Sequence, residues 1–443
     1  MPNFRTNPVG IVPKKAPGKF RTISNLSFPT GSSVNDFISK EDYSLSYVTV
    51  DSAIDYILSL GPGCYLSKVD IESAFRIIPV HKSDWSLQGI SWREKFYYDK
   101  NLTMGGRSSP YLFDCLSHAI EWILINNYDL SNIAHLLDDF ICVESINDKG
   151  NALSVFLNVF RILGIPVAQD KIEGPLTTLD FLGITLDTIR MEARLSEDKI
   201  MNLKEKLRSF LGISKTTKHD LMSLIGSLSF ACRVVPPGRS FLSRMITLCC
   251  TVREKFHKIY INRQVKEDIQ LWLNFLENWN GRNMFLMRNA VNSPDFQFFT
   301  DASSEIGYGA FFQGEWFAQK WRPHQSKLFW SMPIMELFPI FISSSIWGSK
   351  WSQSRIVVHS DNEATVQMLN KGYCGKEPAA SMLREIMFNC MKFNFTLKAC
   401  FIEGKKNITA DLLSRFRFAE FFTHAPDARR TPIGIPETLL KFG

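Results

Sequence analysis

The sequence predicts an α+β region over residues 1–195, a helical segment from about 196 to 280, and an α/β region from Phe296 to about Phe416. Three observations carry this. Up to residue 195, short apolar runs alternate with turn clusters. Beyond it, Leu203, Leu207, Phe210 and Leu211, then Leu221, Leu224, Ile225 and Leu228, recur at helical steps. From Phe296 onward, apolar strand-like runs end on acids and give way to helical patterns. Pro236-Pro237-Gly238 breaks the helical segment, and Asn278-Trp-Asn-Gly-Arg-Asn283 reads as a linker. The tail, with Pro426, Pro432 and Pro436, reads as extended.

Length and composition fit such a chain. Its 443 residues leave room for about three domains, and 45% apolar with 21% charged residues excludes a disordered, collagenous or small disulfide-stapled protein. The longest apolar run, Met335 to Trp347, is broken by Glu336, Pro339 and serines, so no membrane span is expected. No apolar secretory segment is visible near Met1. Nine cysteines without a C-x-x-C pair read as reduced intracellular thiols, and their spacing predicts no structural zinc site.

The first cluster of chemistry-bearing residues lies in the α+β region. Tyr65-Leu-Ser-Lys-Val-Asp70 ends a short strand on an acid, and Ile133-Ala-His-Leu-Leu-Asp138-Asp139-Phe-Ile-Cys-Val143 sets two acids at the tip of an expected β-hairpin. Paired acids also make ordinary polar turns. If the three converge, their repulsion demands cations, and carboxylates holding two hard divalent ions are an apparatus for in-line phosphoryl chemistry. Lys14, Lys15, Lys19 and Arg21 flank a Pro-Gly turn, an arrangement suited to clasping a triphosphate. Gly105-Gly106-Arg-Ser-Ser109-Pro110 opens a helix after glycines that permit close backbone approach.

The second cluster is spread over the α/β region. Asp301 and Asp361 end apolar strands, Glu336 sits in an otherwise apolar helix, and Asp411 lies on a short helix. Strand-terminal acids often cap helices, but an acid within an apolar stripe needs a partner or a cation. Between the clusters, residues 199–266 hold 14 Lys and Arg against three acids (Glu205, Asp220 and Glu254), which exceeds the whole chain's net charge of +7. A polyanion is the implied partner, although a solvated basic face has the same composition.

In order and spacing, residues 1–195 resemble the fingers and palm of a reverse transcriptase, and residues 296–416 resemble a ribonuclease H. The wording of both, and the segment Ser227 to Leu242, is most similar to tyrosine-recombinase (DIRS-type) retrotransposons. The resemblance implies an α+β right-hand polymerase (fingers, palm and helical thumb) followed by an α/β ribonuclease H-like domain with a mixed sheet. Its divisions fall at 1–195, 196–290, 291–417 and a tail at 418–443. It implies that Asp70, Ile71, Asp138 and Asp139 hold two Mg²⁺ or Mn²⁺ ions, that Asp301, Glu336, Asp361 and Asp411 hold two more, and that Lys171 is the proton donor to pyrophosphate. Lys14, Lys15, Lys19, Arg21 and Gly105 would contact the nucleotide, with Phe75 as an aromatic gate against the ribose 2′-hydroxyl. Phe181, Leu182 and Gly183 match the primer grip, and Lys204, Arg208, Lys215 and Lys218 lie where a thumb holds the duplex.

The implied partners are an RNA template, a DNA primer, the RNA/DNA hybrid and deoxynucleoside triphosphates, without a membrane. The chain would be the polymerase–nuclease part of a larger retroelement polyprotein, in a cytoplasmic ribonucleoprotein with nuclear entry open. It departs from the pattern at Leu136, where a Tyr is common, at Leu102-Thr103 for Leu-Pro, and at Asn25 for Asp. It also departs in the stretch Cys400–Asn407, which lacks the loop His of many ribonucleases H. A domesticated nucleic-acid-binding protein without turnover, and a DNA-templated polymerase with a nuclease, are the competing readings.

Overall fold

The computed structural model describes residues 4–13, 18, 20–148, 150–279, 283–284, 296–325 and 329–441. It divides into two compact units, Met1–Met191 and Glu192–Gly443.

In the N-terminal unit, β1 (Val9–Pro13) and β2 (Phe20–Ser24) form an antiparallel hairpin. Thr49 caps α1 (Val50–Leu60) by accepting from the Asp51 amide, and Gly61 ends the helix. There follow β3 (Tyr65–Asp70), the hairpin β4 (Gly89–Trp92) and β5 (Lys95–Tyr98), and the long α2 (Ser109–Tyr128), begun by Pro110 in its first turn. The hairpin β6 (Ile133–Leu136) and β7 (Asp139–Glu144), then α3 (Ala152–Ile162) and β8 (Glu173–Leu176), complete a four-stranded sheet ordered β6-β7-β3-β8. Its apolar face meets α2 and α3 in a core of Val69, Phe113, Ile120, Phe140, Phe156 and Phe160. A last hairpin, β9 (Thr178–Phe181) and β10 (Ile184–Asp187), turns through Leu182 and Gly183, both at positive φ.

The C-terminal unit starts with β11 (Glu192–Leu195) and the helical segment. This comprises α4 (Glu197–Leu211), β12 (Lys215–Thr217), α5 (Lys218–Ala231), α6 (Ser243–Cys249), β13 (Lys258–Tyr260) and α7 (Arg263–Trp279). The predicted apolar positions Leu203, Leu207, Phe210, Leu221, Leu224 and Leu228 are buried. The short β14 (Asn283–Met284) pairs with β11.

After it come β15 (Gln297–Ala302), β16 (Gly307–Phe312), β17 (Glu315–Lys320), α8 (Met332–Trp347), β18 (Arg355–Ser360), α9 (Glu363–Lys371), α10 (Ala379–Phe393), β19 (Thr396–Phe401) and α11 (Ile408–Ser414). The five strands make one mixed sheet, β17-β16-β15-β18-β19, antiparallel up to β15 and parallel from there.

The second compact unit holds both the helical segment and the mixed-sheet region, and the tail carries helices. The helical segment and the mixed-sheet region are joined by side-chain contacts. Fully buried Asp268 of α7 binds Arg384 of α10 as well as Arg244, and Ser240 donates to the Gly372 carbonyl at 2.5 Å. The tail is not extended throughout. It forms α12 (Phe418–His424) and the short α13 (Glu437–Leu440). Phe421 and Ala428 pack on Trp316, whose indole donates to the Arg429 carbonyl at 2.6 Å. Among the described residues no helix is long and apolar enough to cross a membrane.

Candidate active sites

Asp70 and Asp139 are direct partners across the antiparallel β3–β7 ladder, and Asp138 lies in the two-residue turn joining β6 to β7. Leu137, the first residue of that turn, stands at φ +56°, where side chains are strained and glycine is the usual occupant. The Ser117 hydroxyl on α2 donates to the Leu137 carbonyl at 2.8 Å and holds the turn. The Ile71 amide donates to the Asp138 carbonyl at 2.9 Å. Since the Ile71 side chain is buried and has no donor atom, it could hold a metal only through its main-chain carbonyl.

Cations surround this group. Lys171 Nζ is 2.8 Å from Asp70 Oδ2. Burial opposes the Lys171 charge, but the Asp70 bond and the nearby Asp138 and Asp139 raise its pKa overall. Burial pushes Asp139 up to about 6, opposed by Lys68 and reinforced by Asp70 and Asp138. Asp138 is also raised by burial, and Lys171 and Arg21 pull against the rise. Lys68 itself bridges to Glu173 at 2.6 Å. This lysine, two residues before Asp70 on the same strand face, was not among the expected residues.

Arg21 is exposed on β2, within electrostatic reach of Asp138. Lys14, Lys15 and Lys19 lie outside the described residues. Gly105 stands at φ +126°, and a Cβ there would collide with the Ser24 carbonyl of β2. Asn35 Nδ2 donates to the Gly105 carbonyl at 2.8 Å. Close packing against β2 therefore accounts for this glycine without any ligand. Phe75 is half-buried, edge-on to Phe113 with ring centroids 5.5 Å apart. Phe181 is fully buried, and Leu182 and Gly183 form a turn, so main chain rather than the Phe181 ring is available there.

Of the thumb-type residues, Lys204 is half-buried, Arg208 pairs with Glu277 at 2.6 Å, and Lys215 lies 4.4 Å from the Tyr260 ring. Lys218 donates to the carbonyls of Val252 and Arg253 at 2.7 and 3.0 Å, a structural engagement. Lys199 and Lys206, not singled out from sequence, line a cleft of about 820 Å³ between α4 and α5.

In the C-terminal unit, ligand atoms of Asp301, Glu336 and Asp361 lie within 4.8 Å of one another. Asp301 comes from β15, Asp361 follows β18 in the parallel part of the sheet, and Glu336 comes from α8, which is buried along most of its length. Burial raises Asp301 to about 6, while Ser414, donating its hydroxyl to that carboxylate, opposes the rise. Burial lifts Glu336 well above the usual carboxylate range, and Asp301 and Asp361 add to it. Asp361 is raised by burial, with Asp411 adding to the rise.

The fourth acid stands apart from the trio: Asp411 accepts from Arg415 Nε at 2.6 Å. The loop lacking a histidine does reach this group, for a Cβ on Gly404 would come within 2.9 Å of Asp361 Oδ2. Ser414 was the residue missed here. Its only sequence signal is its place three residues after Asp411 on one helical face.

Both groups fit hard divalent cations. Asp139 Oδ1 and Glu336 Oε2 are buried without a hydrogen-bond partner among the described residues, and all-oxygen donor sets favour Mg²⁺ or Mn²⁺.

Comparison with known proteins agrees with the N-terminal reading. Residues 12–186 match the reverse transcriptase (RNA-dependent DNA polymerase) family. The chain is similar to the putative enzymatic polyprotein of Cassava vein mosaic virus, 19% identical and covering 80% of this chain but 53% of that protein. It is similar also to protein P of Duck hepatitis B virus (strain China), 24% identical over 32% of this chain and 18% of that protein. It thus spans about half of the first relative and less than a fifth of the second. Among solved structures it is similar to a foamy viral protease–reverse transcriptase in complex with double-stranded DNA. The TM-score is 0.53 at 17% identity, covering 89% of this chain and 65% of that one. Residues 12–186 thus match the reverse transcriptase family, and over most of its length the chain shares the fold of that foamy viral protein.

Proposed function

We propose that this chain is an RNA-directed, and also DNA-directed, DNA polymerase of a retroelement, with a ribonuclease H in residues 296–416 that degrades the RNA strand of the RNA/DNA hybrid. The observation that carries the polymerase reading is the pairing of Asp70 with Asp139 across β3 and β7, beside Asp138, within the segment that matches the family. The nuclease reading rests on the convergence of Asp301, Glu336 and Asp361 at the middle of a mixed sheet. The DIRS-type kinship rests on the wording of Ser227–Leu242 and of both acid clusters.

Asp70, Asp138, Asp139 and the Ile71 carbonyl would hold two Mg²⁺ or Mn²⁺ ions, and Asp301, Glu336, Asp361 and Asp411 two more. Such ions, when bound, supply charge stabilisation to the oxygens of an in-line phosphoryl displacement. The chain's own groups do the rest. Arg21, with the lysines of the β1–β2 turn, binds the triphosphate. Lys171 holds a proton at Nζ beside Asp70 and delivers it to the departing pyrophosphate. The Phe75 ring fills the space of a 2′-hydroxyl. The main chain at Leu182–Gly183 supports the primer, and the basic face of α4 and α5 follows the duplex phosphates. This protein would be part of a larger retroelement polyprotein and act in a cytoplasmic ribonucleoprotein, with nuclear entry open.

The test is Mg²⁺-dependent extension of a DNA primer on RNA, together with hybrid cleavage. Asp138→Ala/Asp139→Ala should abolish extension, by at least about a thousandfold on the scale of lost transition-state charge stabilisation, and leave cleavage near wild type. Glu336→Gln should do the reverse. Equal extension by wild type and the double variant would sink the polymerase reading in favour of a binding protein without turnover. In the same assay Phe75→Ala should raise ribonucleotide incorporation, and unchanged sugar selectivity would remove the gate.

A further inference from the structure

The sequence spacing predicts no zinc site, yet the fold assembles a group with the right donors on the α2 side of the N-terminal sheet. Asp114 and His118 are one turn apart on α2, and His118 Nδ1 lies 3.3 Å from Asp114 Oδ2. His135 comes from β6, three residues before Asp138, and is 3% exposed. Its ring stands edge-on to His118, with centroids 4.7 Å apart. Its Nδ1 is 3.8 Å from Asp114 Oδ1 and its Nε2 is 3.1 Å from Glu121 Oε2. Among the described residues neither ring nitrogen makes a hydrogen bond. One ligand atom each from Asp114, His118 and His135 lies within 4.8 Å of the others.

We propose that Asp114, His118 and His135 bind one zinc-class divalent transition metal ion that ties α2 to the base of the β6–β7 hairpin. A buried imidazole with two idle nitrogens is costly. A metal on one nitrogen and the Glu121 carboxylate on the other would satisfy both, in the carboxylate–histidine–metal arrangement that orients metal-bound imidazoles. Tetrahedral zinc with bonds of about 2.0–2.1 Å needs ligand atoms roughly 3.3 Å apart, within reach of side-chain rotation from the present spacing. Two imidazoles select a borderline ion over Mg²⁺, which separates this group from the two all-oxygen clusters. His118 is exposed, so the ion has an entry path and a water completes the fourth position. The ion would then stabilise the element from which Asp138 and Asp139 project, without touching substrate.

The experiment uses the full chain in millimolar Mg²⁺, which keeps the oxygen clusters filled, and micromolar Zn²⁺ in equilibrium dialysis with elemental analysis. Wild type should retain one zinc per chain, and Co²⁺ in its place should give the visible bands of a nitrogen-ligated ion. His118→Ala, at an exposed position that folding does not need, should bind at least tenfold more weakly and lose those bands. Zinc at a hundredfold excess over its Kd should raise the melting temperature of wild type by roughly 5 °C and leave that of His118→Ala unmoved. The proposal is overturned if wild type retains no zinc under excess Mg²⁺. It is equally overturned if His118→Ala and Asp114→Asn both bind zinc as tightly as wild type.

Discussion

Around Asp70, Asp138 and Asp139 the chain supplies its own cations, with Lys171 on Asp70 and the charges of Lys68 and Arg21 opposing the rise of the other two acids. Around Asp301, Glu336 and Asp361 it supplies mainly a hydroxyl, from Ser414, and an arginine whose partner is the outlying Asp411. The two groups also differ in burial, for Asp301 and Glu336 are buried while Asp138 and Asp139 are only partly so. Burial lifts Asp139 to about 6 as it does Asp301, so what separates the two groups without a divalent ion is Glu336. The second must hold protons when no such ion is present, and burial has already driven Glu336 well above the carboxylate range and Asp301 to about 6. A site of that second kind gains more from a cation, because the ion displaces protons as well as water.

The largest expected effect follows from that contrast. An acid raised in the folded state gives stability that is complete below its unfolded pKa and lost as pH rises through its folded value. For Asp301 the loss spans about pH 4 to 6 and amounts to about 3 kcal/mol, and Glu336 extends it to higher pH. In EDTA, wild type should therefore melt several degrees lower at pH 8 than at pH 5, and Mg²⁺ should restore it. Glu336→Gln, which keeps the shape without the charge, should melt above wild type at pH 8 in EDTA. A lower melting temperature for that variant, read by scanning calorimetry, would mean that the second cluster is not short of positive charge.

A smaller effect isolates the hydroxyl. Ser414→Ala removes the donor that opposes the rise of Asp301, so its carboxyl should climb further. With a hydrogen bond to a charged group worth about 1.5–3 kcal/mol, the acid limb of the hybrid-cleavage pH profile should move up by about one pH unit. Primer extension should keep its profile. A parallel shift in both activities would deny that Ser414 acts through Asp301.

These features differ in how far the sequence discloses them. Asp70 and Asp301 could be placed because short apolar runs bounded by turn residues locate strands, and each of these acids lies at the end of such a run. Asp138 and Asp139 were legible for the same reason, since apolar runs on both sides leave a two-residue turn. Lys68 and Ser414 were not, because their roles depend on which neighbour the fold turns towards them. The union of Asp268 with Arg384 joins residues 116 apart and leaves no local trace, so the contact between helical segment and mixed-sheet region was hidden. The tail was misread for a different reason. Its prolines suggested extension, while Phe418, Phe421 and Phe422 already carried the three- and four-residue steps of a helix that needed Trp316 to pack on. His118 and His135 likewise meet only because α2 crosses β6.

The smallest effect expected concerns the turn that presents the paired aspartates, and it asks whether the first cluster depends on geometry as the second depends on charge. Leu137 occupies a left-handed conformation that costs of order 1 kcal/mol for a residue with a Cβ. Its carbonyl is held by Ser117, fully buried on α2. Ser117→Ala should cost about 1 kcal/mol of stability by leaving that carbonyl without its donor. It should also let the turn relax, because strain persists only where surrounding contacts over-determine it. Primer extension should then fall severalfold, through the misplacement of Asp138 and Asp139, while hybrid cleavage stays at the wild-type rate. If extension falls no further than the loss of folded protein explains, Ser117 is a packing residue, and the strained turn is held by the β6–β7 ladder alone.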